Sequence, residues 1–273
     1  MALNGGTGKS DESAPVMVDV GAYALQAQVR GNGPTVVLEC GGAGQGVGGA
    51  WGEHLESALA EHATVVTYDR AGVGRSGGTQ AHTVSEMADD LHRLLRGLRV
   101  ELPAVFVGWS FGGLVVQMYA ARHPADVAGL VLVDPTVTGT PPGLPFARSL
   151  SFRLVSWLLR RRASLGGKNA RSLRELAGTV SDLPQAMRDT AEARREIGLP
   201  PVPIRVITPG RRPRMPRAHA HYLAADHRDL VERSPYGRLM VADRASHQIP
   251  LEQPEIIVQA VTEVLGSRPP APH

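Results

Sequence analysis

Ser110 lies at the centre of Val107-Gly108-Trp109-Ser110-Phe111-Gly112-Gly113, between an apolar run from Ala104 to Val107 and another from Leu114 to Ala121. Strand, sharp turn and helix with a serine at the apex is the layout that pushes a hydroxyl clear of a sheet. The flanking glycines let the chain pack closely around a strained residue. The Phe111 amide, at the positive end of the following helix, is then a candidate donor to a developing oxyanion. A serine hydroxyl is a weak nucleophile at neutral pH, so this chemistry requires a histidine base and a group to orient it. Of ten histidines, His247 lies in Ala245-Ser246-His247-Gln248-Ile249-Pro250, between the strand-like Arg238 to Ala242 and the helix-like Glu255 to Leu265. A loop leaving a strand suits a base. His54, His62, His82, His92 and His123 sit on or beside helical segments, and His273 is in the carboxyl-terminal tail. His219, His221, Asp226 and His227 are metal-ligand types, but their segment reads as helix, where residues two apart do not share a face. No metal site and no cofactor are expected.

Together with three further segments, these residues resemble the α/β-hydrolase superfamily in its serine-nucleophile branch, over about residues 35 to 265. Thr35-Val36-Val37-Leu38-Glu39-Cys40-Gly41-Gly42-Ala43-Gly44, followed by Trp51, is similar to the family's oxyanion strand and loop. That resemblance makes Gly42 the second oxyanion amide beside Phe111. Tyr68-Asp69-Arg70-Ala71-Gly72-Val73-Gly74-Arg75-Ser76 resembles the family's D-R-x-G-x-G-x-S loop, and Ser246-His247 with Glu252-Gln253-Pro254-Glu255 its histidine loop. The resemblance implies an eight-stranded, mostly parallel sheet with helices on both faces and a helical cap after the sixth strand. It also implies the chain order serine, acid, histidine.

The family most often places its acid after the strand preceding the histidine strand, here Ile204 to Thr208. The loop that follows, Pro209-Gly210-Arg211-Arg212-Pro213-Arg214-Met215-Pro216-Arg217, contains no carboxylate. One strand earlier, Gly129-Leu130-Val131-Leu132-Val133-Asp134-Pro135 ends in an aspartate, a position that some members of the superfamily use. Asp134 is the candidate acid, against the alternative of a strand-end turn cap, and Asp243 is the reserve.

Gly44-Gln45-Gly46-Val47-Gly48-Gly49 and Gly72-Val73-Gly74-Arg75-Ser76-Gly77 both match G-x-G-x-x-G. Dinucleotide binding also requires an acid at the end of the next strand about twenty residues on, and twenty past Gly72 falls in a helical segment. Gly5-Gly6-Thr7-Gly8-Lys9-Ser10 looks like a phosphate loop but follows no strand. The hydrolase reading accounts for the first two loops together.

The elements fall into a core of residues 15–136 and 201–265 and a cap of 137–200, with tails at 1–14 and 266–273 expected to be disordered. Val16 to Val20 and Ala22 to Arg30 read as a hairpin opening the sheet. Cap helices are expected near Pro145 to Arg162, Arg171 to Val180 and Leu183 to Ile197. The first is apolar around much of its circumference, either packing on the core or roofing a pocket. Trp109, Phe146 and Trp157 are the candidates to line that pocket.

Net charge is −6 over residues 1–144, +6 over 145–204 and +3 over 205–273. Arg160-Arg161-Arg162 and the Arg211 to Arg217 cluster read as solvated arginines, with attraction of an anionic group such as a carrier's phosphopantetheine arm as the alternative. Basic clusters without interleaved aromatics do not support nucleic-acid binding. Cys40 is the one cysteine, and there is neither a secretory signal nor a membrane-length apolar run. The expectation is a soluble cytoplasmic protein, and two lysines against 27 arginines suggest a GC-rich bacterial genome. The function expected is hydrolysis of an ester or thioester of a small to medium hydrophobic acyl substrate, free or carrier-bound. Non-hydrolytic cyclisation or elimination in secondary metabolism and a non-catalytic binding role are the alternatives; oligomeric state is open.

Overall fold

The computed structural model describes residues 14–81, 83–138, 145–167, 170–212 and 214–267. The expected tails, apart from Ala14, Gly266 and Ser267, together with His82, His273 and the Gly5–Ser10 run, lie outside them, as does the side chain of Phe146.

A strand in the middle of a sheet covered on both faces needs apolar side chains at every position, because alternate residues point to opposite sides. The central segments have that composition. Strands β1 (Val16–Asp19), β2 (Ala24–Arg30), β3 (Thr35–Glu39), β4 (Thr64–Tyr68), β5 (Ala104–Trp109), β6 (Val127–Val133), β7 (Ile204–Pro209) and β8 (Arg238–Ala242) form one sheet. Its order is β1-β2-β4-β3-β5-β6-β7-β8. β1 and β2 form the expected hairpin, β2 pairs antiparallel with β4, and every later pairing is parallel. Along β5, Ala104 and Phe106 join one buried cluster while Val105 and Val107 join the other; Leu130 and Leu132 of β6 face the first, Val131 and Val133 the second.

Helices α2 (Val84–Leu98) and α3 (Gly112–Arg122) cover the first face, with Leu91, Leu95, Leu114 and Val115 packed into it. Helices α1 (Glu53–Ala60) and α8 (Pro254–Gly266) cover the second through Leu55, Leu59, Ile257 and Val261. A single 3-10 turn at Pro124–Asp126 precedes β6. α4 (Pro145–Ser164) and α5 (Ala170–Glu196) stand between β6 and β7, where the inserted cap was expected, and α6 (Arg217–Glu232) and the short α7 (Ile249–Glu252) flank β8.

Two expectations need correction here. The segments expected as separate helices at Arg171–Val180 and Leu183–Ile197 are one helix that runs through Pro184. Proline removes one backbone donor and disfavours a helix interior, but at about 3.6 residues per turn the buried positions Glu175 and Thr179 before it and Ala186, Thr190 and Ala193 after it fall on one side of a single helix. The second correction concerns α4, where Leu154, Val155, Trp157 and Leu158 are exposed while Phe152 and Leu159 are half-buried, so the apolar circumference is only partly packed.

Parallel pairing of β3, β5, β6, β7 and β8 brings their carboxyl ends to one edge of the sheet. In such folds that edge is where ligands bind.

Candidate active site

The turn after β5 has the geometry its glycines anticipate. Ser110 adopts φ 54°, a left-handed conformation that side-chain-bearing residues rarely take. A Cβ on Gly108 would come within 2.7 Å of Val116 and 2.8 Å of the Gly112 carbonyl; one on Gly112 would come within 2.4 and 2.5 Å of the Glu39 and Cys40 carbonyls. The turn is pinned from β6, since Ser110 N–H donates to Val133 O and Thr136 N–H to Ser110 O. The Phe111 amide opens α3, the element that gives it the favourable dipole.

At the end of β6, Asp134 adopts φ 38° and its N–H donates to Ile207 O. His247 follows β8. The two meet although 113 residues apart: His247 Nδ1–H donates to Asp134 Oδ2 at 2.7 Å. Asp134 is 9 % exposed, whereas the His247 side chain is 48 % exposed, so the imidazole reaches from a buried carboxylate toward solvent. Trp109 sets the height of this loop. Its Nε1–H donates to His247 O at 3.0 Å, its ring lies 5.6 Å from the imidazole, and it packs against Trp51 below. Trp109 therefore supports the histidine from beneath.

The other oxygen of Asp134 is taken by Arg212, whose Nη2 donates to Oδ1 at 2.9 Å and to Thr208 Oγ1 at 2.5 Å. The arginine cluster after β7 is thus not uniformly solvated. Burial pushes the Asp134 carboxyl up, but the His247 hydrogen bond and the Arg212 charge outweigh it and hold the carboxyl below its usual range. His227 is buried beneath the same turn, with Nε2 3.3 Å from Pro135 O, and burial lowers its pKa. Asp243, the reserve acid, is elsewhere: its side chain is exposed and accepts from Gln253.

The loop after β3 passes beside the serine. A Cβ on Gly41 would stand 3.7 Å from Ser110 Cβ. Arg70 shapes this loop from below, with Nη1 on Cys40 O at 3.1 Å and Nη2 on Gly41 O at 2.6 Å. Across a planar trans peptide the N–H points opposite to the preceding carbonyl, so gripping Gly41 O turns the Gly42 N–H away from Arg70. Arg70 is itself held by the buried Glu39 at 2.6 Å, and Tyr68 donates to the second Glu39 oxygen. Its neighbour Asp69 accepts from the Gly46 and Val47 amides, and a Cβ on Gly74 would lie 1.8 Å from an Asp69 oxygen. The G-x-G-x-x-G matches are therefore filled by this bracing. From above, α5 covers the loop: Thr179 Oγ1 donates to Gly42 O at 2.8 Å, and Leu176 stands 3.2 Å from where a Gly42 Cβ would be. Cys40 is free and buried, its thiol pushed up to about 12 by that burial.

Trp157 is not drawn to this edge. It lies on the outer side of α4 with Arg161 over its ring. Sequence reasoning missed the parts played by Arg70 and Arg212. The signal available for Arg212 was its place in the loop where a carboxylate was sought; nothing local marked Arg70 as a clamp.

Asp226, from the group with metal-ligand side chains on α6, instead binds Thr138 and Arg194. Among the described residues one trio of metal-capable side chains comes within reach, His92, His123 and Asp126. Its two rings stack at 4.0 Å and 6°, so their lone pairs lie in parallel planes and do not converge on one ion.

The family model for the α/β-hydrolase fold matches residues 34–178. Along most of its length the chain is similar to the uncharacterized protein YqjL of Bacillus subtilis, at 24 % identity over 90 % of this chain and 89 % of that one. An uncharacterized hydrolase of the same organism, YraK, is 33 % identical over 50 % of this chain and 46 % of its own. Among solved structures, a thermophilic esterase from Thermogutta terrifontis superposes with a TM-score of 0.69 at 23 % identity, covering 93 % of this chain and 98 % of that one.

Proposed function

The chain belongs to the α/β-hydrolase family, and from that premise we propose that it is a serine hydrolase acting on an ester or thioester with a small to medium hydrophobic acyl group. The observation that carries this reading is the 2.7 Å contact between His247 Nδ1 and Asp134 Oδ2, on the same sheet edge as a serine held at φ 54°. With Nδ1–H committed to the carboxylate, Nε2 is the free, basic nitrogen. His247 Nε2 takes the proton of Ser110 as its oxygen attacks the substrate carbonyl. The Gly42 and Phe111 amides receive the oxyanion. Collapse of the tetrahedral intermediate expels the alcohol or thiol, which takes the proton from His247, and water repeats the sequence to release the acid. Asp134 holds the tautomer and stabilises the imidazolium. Leu176 above Gly42 supports an apolar acyl group, and α4 with α5 supports the reading of residues 137–200 as a cap over the 15–136 and 201–265 core.

The test is labelling by a fluorophosphonate, with the adduct mapped by mass spectrometry. Modification of Ser110 that disappears in His247→Ala is the expected result. A folded parent protein that stays unlabelled would overturn the reading in favour of a binding protein.

A further inference from the structure

Helix α4 carries large apolar residues on its outer side as well as its inner one. Its inward side carries the buried Ser156 and Ala163 with the half-buried Phe152 and Leu159 on the same face, and Ser156 donates to the Ala177 carbonyl of α5 at 2.7 Å. Facing outward are Leu154, Trp157 and Leu158, each more than half exposed, and Leu165, just past the last turn, 87 % exposed. At about 3.6 residues per turn, Leu154, Leu158, Arg161 and Leu165 form a single stripe, flanked by Trp157 on one side and Arg162 on the other. The guanidinium of Arg161 lies 5.4 Å from the centroid of the Trp157 ring. Trp157, Leu158, Arg161, Arg162 and Leu165 together border one surface depression. Residues 145 to 167 contain five arginines and no aspartate or glutamate.

We propose that this face of α4 adsorbs to the surface of a bilayer rich in anionic phospholipid. An apolar face with a tryptophan, bordered by arginines and free of acids, matches the chemistry of a headgroup region: leucine and indole enter the acyl boundary while guanidinium groups stay with the phosphates. Crossing the bilayer is not involved, since no described helix is long and apolar enough to span one. A second copy of the chain fits the face poorly, because a two-fold contact would set Arg161 and Arg162 against their own counterparts. The inference does not rest on the serine chemistry, so a Ser110→Ala variant binds vesicles like the parent.

The experiment is co-sedimentation of the full chain with phosphatidylcholine–phosphatidylglycerol vesicles against pure phosphatidylcholine, with tryptophan emission recorded in parallel. Of the three tryptophans, Trp51 and Trp109 are buried, so a blue shift on adding vesicles reports Trp157. Binding to the anionic vesicles that weakens with salt is expected, with partitioning reduced at least about tenfold by Arg161→Glu/Arg162→Glu. Leu158→Gln/Leu165→Gln should reduce it by a similar factor of roughly ten, since each leucine contributes its own buried methylenes. All four side chains are exposed, and unchanged circular dichroism verifies that the variants fold. Absence of binding to anionic vesicles, or binding indifferent to both pairs of substitutions, would overturn the proposal. So would self-association of the parent that the leucine variant dissolves, since a second copy would then cover the face.

Discussion

Two buried carboxylates, each paired with an arginine, flank Ser110, and they differ in what the remaining carboxylate oxygen touches. Under the loop after β3, Glu39 gives one oxygen to Arg70 and the other to the Tyr68 hydroxyl, and Arg70 also donates to the Cys40 and Gly41 carbonyls. At the end of β6, Asp134 gives one oxygen to Arg212 and the other to an imidazole that reaches solvent. Burial pushes Glu39 up despite the neighbouring guanidinium. The same push on Asp134 is overcome by His247 and Arg212, and its carboxyl is lowered. A carboxylate closed on both sides shapes backbone; one left open toward a histidine can fix its tautomer and stabilise its cation. The pairs are thus alike in composition and different in consequence.

The widest separation between them is expected from matched amide substitutions. On the proposed mechanism Asp134→Asn leaves the packing intact but favours the wrong imidazole tautomer, which lowers kcat by roughly 10⁴-fold. Glu39→Gln takes the nearer of two carboxylates from the buried Arg70 charge and leaves Glu175 at 3.7 Å, which costs about 3 kcal/mol of stability while kcat falls by less than about tenfold. Ester-hydrolysis kinetics and urea unfolding on both variants measure the contrast. Equal losses of kcat would break it, because Glu39 would then be as close to the chemistry as Asp134.

Arg212→Gln sharpens the comparison with a smaller effect. Asp134 has a folded pKa below its ordinary 3.8, so its ionised form contributes stability that is present above about pH 4 and fades as pH falls through the lower folded value. Removing Arg212 takes away one of the groups that hold the carboxyl down. The melting temperature of the variant should therefore lie below that of the parent at pH 7, and the gap should close under strongly acidic conditions. With His247 alone to orient Asp134, kcat should drop by about tenfold. A gap that persists unchanged into acid would mean that Arg212 acts through packing and not through the Asp134 charge.

What could be read from the chain follows the range of the interactions involved. Gly108 and Gly112 mark their turn because the steric demand on each is local, and the alternation within β5 and β6 expresses a sheet covered on both sides. Asp134 and His247 could be singled out one by one because each ends or follows an apolar run, and strand order then brings them together. Arg70 and Arg212 could not be ranked above other arginines, since Glu39 and the carbonyls that Arg70 grips lie 29 to 31 residues away and Asp134 lies 78 residues from Arg212, and only the folded geometry chooses among the candidates. The direction of α4 was misjudged for a related reason. An apolar helix reads as buried, but the inward side takes Ser156 and Ala163 beside Phe152 and Leu159, and Leu154, Trp157 and Leu158 are left outside. Pro184 suggested a break that the common buried face of α5 overrides.

The smallest effect concerns Glu175, which brings α5 to the closed pair: its Oε1 lies 3.7 Å from Arg70 Nε. Burial raises its pKa to about 7, against the opposing pull of Arg70. A carboxyl whose folded pKa lies above its unfolded 4.5 favours the folded state while protonated. Relative stability from this group is therefore complete below about pH 4.5 and is lost as pH rises through 7. Glu175→Gln fixes the neutral form. Its melting temperature should match the parent near pH 5 and exceed it by about 2–4 °C at pH 8, read by a fluorescence melt across that range. If the variant is instead less stable than the parent at pH 8, the ionised Glu175 is a working partner of Arg70, and the pair under the loop is a triad joined to α5. The closed pair would then respond to the position of the helices between β6 and β7, whereas the Asp134–Arg212 pair, built from the ends of β6 and β7 themselves, would not.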